Sequence, residues 1–127
     1  MTIRIKRIYD PPSADDGERY LVDRLWPRGV GREAAALADW LKDIAPSEAL
    51  RKSFAHDPAK WDAFAAGYER ELTDARDEKT LEALMRLVRA AARGPLTLLF
   101  AARDRERNNA VVLKSFLEKI IDSQRSP

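Results

Sequence analysis

With 127 residues, 45% of them apolar and 35% charged, the chain is long enough for one hydrophobic core, too apolar to stay disordered and too polar for a membrane protein. Its longest nearly unbroken apolar run, Leu96 to Ala102, falls far short of the roughly 20 residues of a spanning helix, and the absence of cysteine excludes disulfides, thiolate metal sites and cysteine nucleophiles. The 23 basic and 21 acidic residues are interleaved almost everywhere, so the net charge of +2 is a small surplus rather than a polycationic surface.

The chain opens with Ile3 and Ile5 alternating with Arg4 and Lys6, the period of a half-exposed edge strand. The switch of parity to Ile8 predicts a bulge after Lys6. This start lacks the apolar segment of a signal peptide, so a cytoplasmic location is expected. A cluster of turn formers, Asp10 to Gly17, precedes a second short strand at Tyr20-Leu21-Val22 that ends in Asp23-Arg24. Pro27, Gly29 and Gly31 make the following Trp26 to Gly31 segment a loop. Arg32 to Leu41 has helical composition, and Ser47 is the expected N-cap of a further short helix carrying Leu50 and Phe54.

Asp57-Pro58 reads as a helix start, with Trp61, Phe64, Ala65, Tyr68 and Leu72 on one apolar face. The next helix carries Leu81, Leu84, Met85, Val88, Ala91 and Ala92 in phase and is stopped by Gly94-Pro95. Leu96 to Ala102 has the continuous apolar character of a central strand covered on both faces by helices. After Arg103-Asp104 comes a final amphipathic helix with Val112, Leu113, Phe116, Leu117 and Ile120 buried. The expectation is one layered α/β domain over residues 1–122, a mainly parallel sheet of three or more strands packed with helices, followed by a polar tail over 123–127. The strand order is left open, as is whether the first two strands form a hairpin or a parallel pair.

Ligands of open α/β sheets bind beyond the carboxyl ends of the strands. That rule collects Tyr9 and Asp10 after the first strand, Asp23, Arg24, Trp26 and Arg28 after the second, and Arg103 and Asp104 after the third. Arginine forks suit a phosphate or carboxylate, and a carboxylate among them can serve as general base or nucleophile, which assigns acid/base work to Asp23 or Asp104. The alternative is that these charges are salt-bridged strand ends. His56 is the sole histidine, so no metal site needing two imidazoles is expected within one chain. Phosphate-loop, dinucleotide, zinc and kinase motifs are absent, and Gly29-Val30-Gly31 is too short to count as one, so the cofactor is left unknown.

Four stretches stand out together: Arg7 to Pro11; Tyr20 to Gly29; Trp40 to Ser47 with Leu50-Arg51-Lys52; and Leu96 to Asp104 followed by Asn108 to Leu113. In these the chain resembles the YeaO-like family of uncharacterised bacterial proteins, the domain-of-unknown-function family DUF488, with the run from Leu21 to Gly29 the most specific. The resemblance implies a compact α/β fold, brings no established reaction or cofactor, and adds Lys42, Ser47 and Arg51 to the strand-end residues. It also implies that relatives often carry histidine where this chain has Asn109, which puts any mechanism needing that imidazole in doubt while leaving a hydrogen bond available.

The leading functional expectation is an enzyme or binding protein for a small phosphate- or carboxylate-bearing molecule. A second is association with nucleic acid through Arg89, Arg93, Arg103, Arg105 and Arg107, weakened by the interspersed Asp104 and Glu106. A third is an interaction module whose strand Ile3 to Ile8 pairs with a partner or a second copy, with Arg4 and Lys6 opposing indiscriminate pairing.

Overall fold

The computed structural model describes residues 2–125. Four strands, β1 (Ile3–Arg7), β2 (Glu18–Leu21), β3 (Asp39–Trp40) and β4 (Leu96–Phe100), form one sheet in the order β1-β4-β2-β3. Every pairing is parallel. With helices α1 (Arg32–Ala35), α2 (Glu48–Phe54), α3 (Trp61–Thr73), α4 (Glu78–Arg93) and α5 (Asn109–Arg125), this is a single α/β domain. The first two strands are therefore neither a hairpin nor neighbours, because β4 lies between them and pairs with both.

Alternation along the strands divides the core. Ile3, Tyr20, Val22, Leu96, Leu98 and Phe100 join the large cluster that α2, α3, α4 and α5 complete, including Phe64, Tyr68, Leu87, Leu113 and Leu117. Leu21 and Leu99 point to the other face, where Ile8 and Ala35 close a smaller cluster with Trp26, Leu37 and Trp40. The central strand β4 is buried throughout, as its composition requires, but long helices cover only one of its faces. Loops, α1 and a polar network cover the other.

The caps expected from sequence are in place. Ser47 Oγ accepts from Leu50 N at 3.2 Å, and Asp57 Oδ1 accepts from Ala59 N at 3.0 Å above Pro58. Two caps not anticipated from sequence join them: Asp77 Oδ2 accepts from Thr80 N at 3.2 Å, and Asn108 Oδ1 accepts from Val111 N at 3.1 Å. The final helix runs on to Arg125, so Ser123 and Gln124 are helical rather than tail, and residues 126–127 lie outside the described residues.

Three local readings need correction. No bulge follows Lys6: the ladder runs unbroken from Ile3↔Leu96 to Arg7↔Phe100, and Ile8 falls on the opposite face from Ile3 and Ile5 simply because its parity differs. The helix expected over Arg32 to Leu41 stops at Ala35, with Ala36 left-handed at φ 51°. There Ala38 N donates to Arg19 O at 2.7 Å and Leu41 N to Leu21 O at 2.8 Å, so pairing with β2 outcompetes modest helix propensity. On α4 the buried row is Ala83, Leu84, Leu87, Ala90 and Ala91, leaving Leu81 and Met85 exposed. Two apolar rows overlap on this helix, and packing selects the one whose alanines permit close approach.

Candidate functional site

Beyond the carboxyl ends of β2 and β4 lies a cavity of about 380 Å³. Asp23, Arg24 and Trp26 reach it from the chain after β2, Ala101 and Ala102 from the end of β4, and Arg107, Asn108 and Asn109 from the approach to α5 and its first residue. Arg51 and Phe54 on α2, His56 just beyond it and Phe64 on α3 complete the helix side. Both Ala55 and His56 have positive φ, 47° and 57°, so the wall beyond α2 is a tight left-handed turn.

Asp23 sits where the sheet ends. Val22 N donates to Leu99 O at 3.1 Å, and one step further Ala101 N donates to Asp23 Oδ2 at 3.0 Å. The carboxylate thus takes an amide that the ladder would otherwise leave without a partner. Asn109 Nδ2 donates to Asp23 Oδ1 at 3.0 Å and to Val22 O at 3.1 Å, locking α5 to the end of β2. Trp40 Nε1 donates to the Asp23 carbonyl at 2.8 Å. Burial pushes the Asp23 carboxyl up, and the donors from Asn109 and Ala101, with the charges of Arg51 and His56 nearby, only partly offset it.

A carboxyl raised in the folded state stabilises the fold fully below its unfolded value, and that contribution is lost as pH rises through the folded value. The stability of the parent chain relative to Asp23→Asn should therefore grow as pH is lowered from about 7 to about 4. Urea titrations at stepped pH measure this difference; a flat difference would show that burial does not perturb Asp23.

The three guanidinium groups of the cavity are held differently. Arg24 Nη1 lies 3.9 Å from Asp43, a loose pair, and Arg107 Nη1 lies 3.3 Å from Asp104. Arg51 donates from Nε to Pro46 O at 3.2 Å, and among the described residues no carboxylate lies within ion-pair distance of it. Against these three cations the lining offers one carboxylate, Asp23. The start of α5 at the cavity adds the positive end of a helix dipole.

Of the residues expected from sequence, Asp23, Arg24, Trp26, Arg51 and Asn109 come together here. The others do not line the cavity. Tyr9 is exposed, donates to the Arg28 carbonyl at 3.0 Å and lies under the Arg7 guanidinium. Asp10 accepts from Arg105 at 2.7 and 2.9 Å, bonds that hold its carboxyl below the usual range. Arg28 and Arg103 are exposed, and Lys42 sits over the Trp40 ring at 5.6 Å. Asp104 accepts from the amides of Glu106 and Arg107 at 2.9 and 3.0 Å, which depress its carboxyl. It is the anchor of a turn that presents Arg107, not a group facing the cavity.

Arg107, Asn108 and Phe54 were not read from sequence as parts of this site. For Arg107 the signal was the Asp104-x-x-Arg107 spacing, in which an aspartate capping two amides orients the residue three further on. The arginines weighed for nucleic acid are largely neutralised: Arg93 pairs with Glu18, Arg105 with Asp10 and Arg107 with Asp104. Among the described residues no group of three or more histidine, aspartate or glutamate side chains is placed to hold a metal, and no helix is long and apolar enough to cross a membrane.

These features define a parallel α/β domain with an arginine-lined cavity at its strand ends. The sequence model described as the inactive DUF488-N3 subclade matches residues 2–127, and the chain belongs to this YeaO-like DUF488 family. It is 41% identical over 120 residues to the uncharacterized protein YeaO of Escherichia coli (strain K12), covering 94% of this chain and 100% of that one. It is 37% identical over 115 residues to the uncharacterized proteins Mb3100c of Mycobacterium bovis and Rv3073c of Mycobacterium tuberculosis, covering 91% of this chain and 92% of each. No solved structure matches the chain.

Proposed function

We propose that this protein binds a small organic anion, a phosphate or carboxylate, in the cavity beyond β2 and β4, and does so without turnover. The observation that carries the reading is Arg51, a half-buried guanidinium lining the cavity with a backbone carbonyl as its hydrogen-bond acceptor. A planar fork so placed suits bidentate capture of an oxyanion. Arg24 and Arg107, each loosely held by a carboxylate, supply further charge on either side of the chain's own Asp23.

Binding rather than catalysis is favoured by the chemistry beside Asp23. The Asn109 amide holds that carboxylate in place but cannot carry a proton to or from it, and among the described residues His56, the imidazole of this cavity, makes no hydrogen bond to it. Membership of a subclade described as inactive supports the same choice. Asp104, bound by two amides, has no place in acid/base work on a ligand in this cavity.

The test is thermal unfolding against inorganic phosphate, adenosine monophosphate, a sugar phosphate and simple aromatic carboxylates. A ligand at a hundred times its dissociation constant should add about 2.7 kcal/mol of stability. Arg51→Ala should abolish that gain while lowering unliganded stability by less than about 1 kcal/mol, since the side chain is only half-buried. Arg28→Ala should leave both unchanged, because only its carbonyl is engaged. If no anion in the panel stabilises the parent chain, the reading fails.

A further inference from the structure

Asp23 and Arg51 line one cavity with opposite charges and are not paired with each other. Arg51 is near enough to favour the ionised form of Asp23, yet its hydrogen bond goes to Pro46 O, while Asp23 is met by the neutral donors Ala101 N–H and Asn109 Nδ2–H. An ionised carboxylate has about four acceptor positions, so these two bonds leave capacity unused. Arg51 and His56 act on this half-buried carboxylate only through space, so a cationic donor in direct contact is what would complete its hydrogen bonding.

The remaining lining is apolar. Leu25, Trp26 and Pro27 stand on one side and Ala45, Phe54 and Phe64 on another. Leu25, 70% exposed, adds apolar surface to the cavity lining. A volume of about 380 Å³ lies in the range of about 300–1,000 Å³ typical of sites for whole small molecules, well beyond the needs of a bare oxyanion.

Building on the anion-binding reading above, we propose that the ligand is a zwitterionic amino acid with an apolar side chain. Its carboxylate is taken by Arg51 with Arg24 or Arg107, its ammonium by Asp23, and its side chain by the Phe54, Phe64 and Leu25 surface. Asp23 and Arg51 line the same cavity without contacting each other, so one molecule carrying both an ammonium and a carboxylate can engage each with its opposite charge.

The experiment is calorimetric titration of the full chain with L-leucine, L-phenylalanine and L-tryptophan, each against its counterpart lacking the amino group, and with phenethylamine, inorganic phosphate and adenosine monophosphate. At least one of the three amino acids should bind about tenfold or more tightly than its des-amino counterpart, the size of one charge-assisted hydrogen bond, and more tightly than phenethylamine or adenosine monophosphate. Asp23→Asn should erase the preference for the amino group while the des-amino acid binds as well as before or better. If des-amino acids, phosphate or the nucleotide bind as tightly as every amino acid to the parent chain, this inference falls and anion binding stands. If phenethylamine matches the amino acids, or if nothing binds, both fall. The comparison within the parent chain decides the matter even where Asp23→Asn does not fold.

Discussion

Replacing Gly17 by alanine should destabilise the fold by about 3–5 kcal/mol, the sum of a strained backbone and a steric clash in a packed crossing. Gly17 has φ 62° and ψ −142°, a conformation that a side chain makes costly. A Cβ there would collide with the carbonyl oxygen of Pro95 and lie 2.6 Å from its carbonyl carbon, and both of those atoms are backbone. The crossing cannot simply open, because Glu18 N donates to that same Pro95 oxygen at 3.2 Å, starting the pairing of β2 with β4. Chemical denaturation of Gly17→Ala measures the loss. Gly29→Ala is the control: Gly29 also has positive φ, 75°, but nothing lies within 4 Å of its added Cβ, so its loss should be only the strain, about 1–2 kcal/mol. Equal losses in the two variants would show that the close approach to Pro95 is not what requires glycine.

Asp16→Ala should cost about 3–5 kcal/mol, because it leaves buried cations without their counter-charge. Asp16 is 1% exposed and Arg19 3%. Its carboxylate accepts from Arg19 Nη1 at 2.7 Å, from Lys6 Nζ at 3.0 Å and from Ser13 N and Oγ at 3.0 Å, while its carbonyl accepts from Thr97 Oγ1 at 2.8 Å. One residue therefore ties β1, β2 and β4 together on the face of the sheet that loops and α1 cover in place of long helices. Arg19 keeps only the Ala35 carbonyl when Asp16 is removed, and its Nη2 already lacks a partner. Burial pushes the Asp16 carboxyl up, but the donors from Ser13, Lys6 and Arg19 outweigh it and hold the group far below its ordinary 3.8.

The sign of the pH response follows from that direction. A carboxyl depressed by folding contributes its stability above the unfolded value and loses it as pH falls below. The deficit of Asp16→Ala should thus be full at about pH 7 and shrink below about pH 4, the reverse of the response expected for Asp23. A deficit independent of pH down to about 2 would indicate that packing rather than charge makes Asp16 necessary.

Much of the fold was legible because it depends on local chemistry. Ser47 and Asp57 cap helices wherever the chain goes afterwards, Gly94-Pro95 ends one, and the apolar run of β4 can only be a buried strand. Asp39–Trp40 was not legible as a strand, since two residues carry no periodicity and become one only when β2 lies alongside. The α4 phase was misread because two apolar rows share Leu84 and Ala91, and only α5 and the sheet choose between them.

The candidate site divides in the same way. The strand-end rule found Asp23, Arg24 and Trp26, because β2 and β4 are neighbours and their ends meet. It also picked out Tyr9, Asp10, Arg28, Arg103 and Asp104, which the turns after their strands carry elsewhere: Tyr9 onto the Arg28 carbonyl and Asp10 onto Arg105. Arg51 and Asn109 entered only through the family resemblance, while Arg107 was weighed only for nucleic acid and Phe54 only as helix packing. By itself the sequence determined an α/β chain with charged strand ends and pointed to a mainly parallel sheet, since alternation, capping and apolar runs act over a few residues. Only the tertiary structure decided which charges share a cavity and which neutralise one another, because that depends on strand order and helix phase, set by packing between residues up to 95 positions apart, as in the Asp10–Arg105 pair.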